Sequence, residues 1–78
     1  MGKSKIQNNI RRFRFDAGEM TQQELADKVN VSRQTIVAIE KGNYSPSLEL
    51  AFKIARTFNS TLEKVFSYED SPPSKKST

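Results

Sequence analysis

At 78 residues the chain holds one small domain, too short for a sensor body fused to a second module. It has no cysteine, histidine or tryptophan, which removes disulfides, thiolate metal sites and the commonest general base. Its net charge of +4 is concentrated near the N-terminus: Lys3, Lys5, Arg11, Arg12 and Arg14 occur with no acid among residues 1–14, while residues 15–68 hold six basic and seven acidic side chains. That asymmetry suits a polyanion such as DNA. No apolar run reaches the ~18 residues of a membrane span, and no apolar stretch near Met1 reads as a secretory signal. The expectation is a cytoplasmic protein with no membrane part, a basic arm over residues 1–5, and one domain over residues 6–68.

The apolar pattern is helical from about residue 6 to 67. Ile6, Ile10, Phe13 and Ala17 recur at spacings of four, three and four, which is one helix face. Gly18 ends that run. Thr21-Gln22-Gln23-Glu24 is a capping box, in which the Thr21 hydroxyl and the Glu24 carboxylate each satisfy the other's backbone N–H. A short helix follows with Leu25, Ala26 and Val29 inward. Asn30 breaks it, because Asn tolerates the left-handed conformation a tight turn needs. Ser32 caps a third helix anchored by Ile36 and Ile39, and Lys41-Gly42-Asn43 stops it.

Ser45 is read as the cap of a fourth helix from about Pro46 to Phe58, with Pro46 at its first position. Leu48, Leu50, Ala51, Phe52, Ile54, Ala55 and Phe58 fill an arc of ~200°, which predicts the most buried helix. Ser60-Thr61-Leu62-Glu63 reads as a second capping box, opening a short fifth helix with Leu62, Val65 and Phe66 inward. Residues 69–78 have no apolar anchor except proline and read as a disordered tail.

The second and third helices, together about residues 22–41, are joined by about three residues. That fits the sharp crossing of a helix-turn-helix. Ala26 is small where the two helices meet, and Val31 can plug the angle between them. At about 100° per residue, Arg33, Gln34, Val37, Ala38 and Lys41 share or border the outward face of the third helix. Arg can grip guanine, Gln can grip adenine, and Val or Ala can meet a thymine methyl. Ser32 and Thr35 can take phosphate oxygens. Glu40 and Arg14 both fall on inward sides, and buried charges need partners, so the two are predicted to form an interhelical ion pair. Phe15 points toward solvent and has no role assigned by spacing.

The runs Thr21–Ala26, Val31–Ile36 and Ile39–Gly42, continued by Ser45–Ala51, resemble the helix-turn-helix of the Cro/CI-type, or XRE, transcriptional regulators. The likeness covers about residues 6–67. It implies a five-helix all-α domain that binds double-stranded operator DNA as a homodimer. By the same resemblance, Gln22 contacts a phosphate and braces the recognition helix. Ser32, Arg33, Gln34 and Ala38 take the DNA-facing positions, and Lys41, Asn43 and Tyr44 lie in the backbone-contacting segment. Arg14 and Glu40 match an internal salt bridge. Leu62 and Val65 take the dimer contact, helped by the loop at Tyr44–Pro46. In some compact members the flanks pair as a ribbon, which here joins about Ser4–Gln7 to about Phe66–Tyr68. Two features depart from the family pattern: Asn30 replaces the usual turn glycine, and the loop Gly18-Glu19-Met20 is one residue longer.

The leading reading is a repressor on a pseudo-palindromic operator, its half-sites ~34 Å apart. An antitoxin-like module that neutralises a partner protein and regulates itself is the alternative. Catalysis is not expected: the carboxylate pairs on offer sit at caps or on exposed faces, and there is no phosphate loop. No cofactor, metal or small-molecule ligand is expected.

Overall fold

The computed structural model of the chain describes residues 5–68. The elements run β1 (Ile6–Asn8), α1 (Ile10–Asp16), α2 (Gln22–Val29), α3 (Arg33–Glu40), α4 (Leu48–Thr57), α5 (Leu62–Val65) and β2 (Phe66–Tyr68). Five helices make the body, and β1 and β2 pair antiparallel as a short ribbon. The register sets Ile6 opposite Tyr68, Gln7 opposite Ser67 and Asn8 opposite Phe66. The expected arm lies outside the described residues up to Ser4, as does the expected tail.

Side-chain caps open four of the helices. At α2 the Thr21 hydroxyl accepts the Glu24 N–H at 3.0 Å, and the Glu24 carboxylate accepts the Thr21 N–H at 2.9 Å. Ser32, Ser47 and Thr61 cap α3, α4 and α5. Replacing such a cap by alanine typically costs ~1 kcal/mol. The helix-turn-helix angle is set by Asn30, whose φ of 63° is left-handed. Its N–H and that of Val31 return to the carbonyls of Asp27 and Ala26, closing α2. Gly42, with φ of 80°, closes α3 the same way, as its N–H and that of Asn43 reach Ile39 and Ala38.

One core joins all five helices and the start of β2. Ile10 of α1, Leu25, Ala26 and Val29 of α2, and Ile36 and Ile39 of α3 are buried with Leu50, Ala51, Ile54 and Ala55 of α4 and with Val65 and Phe66. Fully burying one such aliphatic side chain contributes roughly 1.5–3 kcal/mol. Val31 packs against this core from the turn. Phe13 and Phe58 stack at its edge with ring centroids 5.4 Å apart.

Several local expectations are corrected. Ile6 leaves the helical face to pair in β1, and Ala17 is exposed at the end of α1. The longer loop is absorbed by Gly18 and Glu19, both left-handed, which bring the Met20 N–H back to the Arg14 carbonyl. The fourth helix starts at Leu48 with Ser47 as cap, not at Pro46 with Ser45. Starting there aims Leu50, Ala51, Ile54 and Ala55 inward. It leaves Leu48 67% and Phe52 49% exposed, so the buried arc is narrower than the apolar one. The second capping box is not formed. Ser60 donates its N–H to the Ala55 carbonyl to finish α4, so Thr61 becomes the cap and its hydroxyl accepts from Lys64, not Glu63.

Candidate nucleic-acid interface

The position of α3 is held by a polar junction on its inner side. The Arg14 Nε donates to Glu40 Oε2 at 2.7 Å, and Nη2 donates to Oε1 at 3.0 Å. The Arg14 Nη1 donates to the Met20 carbonyl at 2.8 Å, and the Gln22 amide donates to Glu40 Oε1 at 3.2 Å. The two charged side chains are only 15% and 11% exposed. Both carboxylate oxygens and the guanidinium are thus satisfied by α1, α2, α3 and the loop before α2. A fork-to-fork arginine–carboxylate pair is directional, so it fixes orientation as well as distance. From the other side, the Asn8 amide donates to the Ile39 carbonyl at 2.9 Å, tying β1 to the last turn of α3.

The outer side of α3 is open. Arg33 and Gln34 are exposed, and Val37 and Ala38 are half-buried beside them. Lys41, Asn43 and Tyr44 continue the exposed line past the helix end. Arg33 and Lys41 have no ion-pair partner among the described residues. Ser32 and Thr35 meet at 3.0 Å between hydroxyls, and the Thr35 N–H also goes to Ser32. A contact between two hydroxyls uses one hydrogen, so the second O–H is left to donate outward. The face combines a fork donor, an amide, a cation and small apolar groups on a rigidly held helix.

These features agree with what similar proteins are. Residues 10–65 match the family model described as helix-turn-helix. The chain belongs to the helix-turn-helix family, of the Cro/CI or XRE type. It is 55% identical to an "Uncharacterized HTH-type transcriptional regulator" of Archaeoglobus fulgidus, over 83% of this chain and 91% of that protein. A regulator of the same description from Methanocaldococcus jannaschii is 52% identical, over 83% and 97%. One from Bacillus subtilis is 43% identical, again over 83% and 97%. The family is one of DNA-binding transcriptional regulators, and this chain is a member of it.

Within that family framework the residues named from sequence fall in two groups. Gln22 lies beside Arg33 along one cleft and beside Val37 and Lys41 along another, so the start of α2 and the outer side of α3 share one surface. Leu62 and Val65 do not share a surface. Leu62 is half-buried, whereas Val65 is fully buried in the chain's own core and has no area to offer another molecule. Sequence reading also missed Asn8, whose amide bonds the end of α3, because no local pattern connects it to a carbonyl so far along the chain. Among the described residues no helix is long and apolar enough to cross a membrane, and no acidic cluster could hold a metal ion.

Proposed function

We propose that the chain is a sequence-reading repressor that binds a pseudo-palindromic operator as a homodimer, with α3 in the major groove. The observation that carries this reading is the contrast across α3: an inner side locked by Arg14, Glu40 and Gln22, and an outer side where Arg33, Gln34 and Lys41 stay open. In this reading Arg33 and Gln34 take base edges, with Val37 and Ala38 against thymine methyls. Gln22, Ser32, Thr35, Lys41, Asn43 and Tyr44 take the phosphate backbone and set the register. Such a regulator works in the cytoplasm, where the DNA is. Repression follows from occupying promoter DNA.

The dimer contact is assigned to the cleft where Leu62 meets Phe52 and Ala55, flanked by Arg56 and Glu63. Those two opposite charges have no ion-pair partner among the described residues. In this reading Arg56 of one copy pairs with Glu63 of the other across a two-fold axis, as a self-complementary interface needs. Leu62→Glu puts a charge in that contact and is expected to yield monomers by sedimentation. A variant that stays dimeric moves the interface elsewhere.

The test of the whole reading is selection of bound duplexes from a random DNA pool at physiological salt, since low salt inflates non-specific binding. An enriched inverted repeat with half-sites about one turn apart is the expected result. Binding that enriches nothing and vanishes as salt rises removes the sequence-reading function. Among the described residues no feature favours the antitoxin-like alternative, and the relatives are described as regulators of transcription.

A further inference from the structure

Two arginines of α1 have no structural task among the described residues. Arg11 and Arg12 are exposed, and neither has an ion-pair partner among the described residues, although Asp16 stands four positions after Arg12. They do not serve the helix either. They fill the first turn of α1, which holds no acid, and positive side chains there oppose the helix dipole. Their surroundings are specific. Arg11 borders the cleft that also contains Gln22 and Arg33, and both arginines border the adjoining cleft with Gln22, Val37 and Lys41. Each of these two clefts holds one acid, Glu40, whose carboxylate is already occupied by Arg14 and Gln22. Arg11 also borders a third cleft with Glu19, but the two form no ion pair among the described residues. A positive rim therefore runs from the start of α3, past the start of α2, onto α1.

We propose that Arg11 and Arg12 form a second line of phosphate contact, gripping the DNA backbone beside the groove that α3 enters. The ligand is the phosphodiester chain of duplex DNA, and the grip carries no base information. This inference rests on the DNA-binding reading and extends its footprint beyond the helix-turn-helix to α1. Guanidinium groups suit the task because their fork matches two phosphate oxygens and keeps its charge at any working pH. The junction at Arg14 holds α1 to α3, so the grip and the reading helix move as one body.

The test uses the full chain with Arg11→Gln, Arg12→Gln and the double variant, plus Lys28→Gln as a control. Lys28 is exposed and lines a different cleft with Val29 and Phe52, so it makes the same charge change away from the rim. Affinity is measured against a selected duplex and a scrambled one over a range of salt. The slope of log affinity against log salt should flatten by ~0.9 for each phosphate that is no longer neutralised, so by nearly two for the double variant. Both duplexes should weaken by the same factor, leaving their ratio unchanged, and Lys28→Gln should keep the wild-type slope. A double variant with the wild-type slope overturns the proposal while leaving the DNA-binding reading intact. So does weakening confined to the selected duplex, because that marks base reading, and so does an equal flattening in Lys28→Gln, because that marks net charge alone. A wild-type chain that binds neither duplex overturns both readings together.

Discussion

Arg11 and Arg14 lie three residues apart on one short helix, yet they belong to different parts of the molecule. Arg14 commits three of its nitrogens inward, two to Glu40 and one to the Met20 carbonyl. Arg11 stands on the rim with no ion-pair partner among the described residues. The inner junction and the outer rim are built from the same residue type, and only the supply of partners separates them. A cation whose acceptors come from neighbouring helices becomes framework, because leaving it unpaired would be costly. A cation with no acceptor nearby keeps its attraction for an outside anion. Net charge does not distinguish the two, although it is the first signal of DNA binding in the sequence.

The largest expected effect separates the regions by stability. Glu40→Ala leaves the Arg14 guanidinium nearly buried without its carboxylate and should cost ~3–5 kcal/mol, read by urea denaturation. Arg14→Met combined with Glu40→Leu removes both charges and should recover most of that stability. If the single variant were destabilised by less than ~1 kcal/mol, the junction would not be framework and the contrast with Arg11 would collapse.

The next effect lies on the open face of α3. Arg33→Ala should leave the melting temperature within a degree or two, because the side chain is exposed and has no ion-pair partner among the described residues. Its cost should appear in binding, at ~1–3 kcal/mol, and only for duplexes with the preferred base at one position. Equal weakening on every duplex would class Arg33 with the phosphate contacts.

Much of this arrangement is legible without coordinates. The capping box at Thr21 and Glu24, the left-handed Asn30 and the stop at Gly42 are local, so the two central helices can be bounded from residue types alone. Periodicity also turns Arg14 and Glu40 inward, because each follows an aliphatic residue by four on its helix. The rest depends on choices between equal local signals or on distant partners. Ser45 and Ser47 are equally good caps, and the core decides for Ser47 by burying Leu50 and Ala51. Ile6 continues the spacing of Ile10 and Phe13, so helical spacing misplaces it, whereas the ribbon that holds it is expected from the family resemblance. Its partner Tyr68 stands at the far end of the described chain. Val65 has the right spacing for an interface, but helical spacing does not say whether an apolar face meets the chain's own core or another molecule. The rim at Arg11 depends on how α1 crosses α2, which is a tertiary quantity.

The smallest expected effect is the sharpest test of the comparison. Arg11→Gln should change folding stability by no more than about half a kcal/mol, since it removes no paired group from an exposed site. The sign should be a slight gain. Arg11 sits in the first turn of α1, where the unpaired N–H groups give the helix end a partial positive charge, and a neutral amide relieves that repulsion. The gain should shrink as salt rises, because the interaction is exposed and screened within ~10 Å. Arg14→Gln, the same change three residues later, should instead lower stability at every salt concentration, since its partners are shielded from solvent. A destabilisation above ~1 kcal/mol in Arg11→Gln would reveal an acceptor that holds Arg11 in place, and would move it from the rim into the framework beside Arg14.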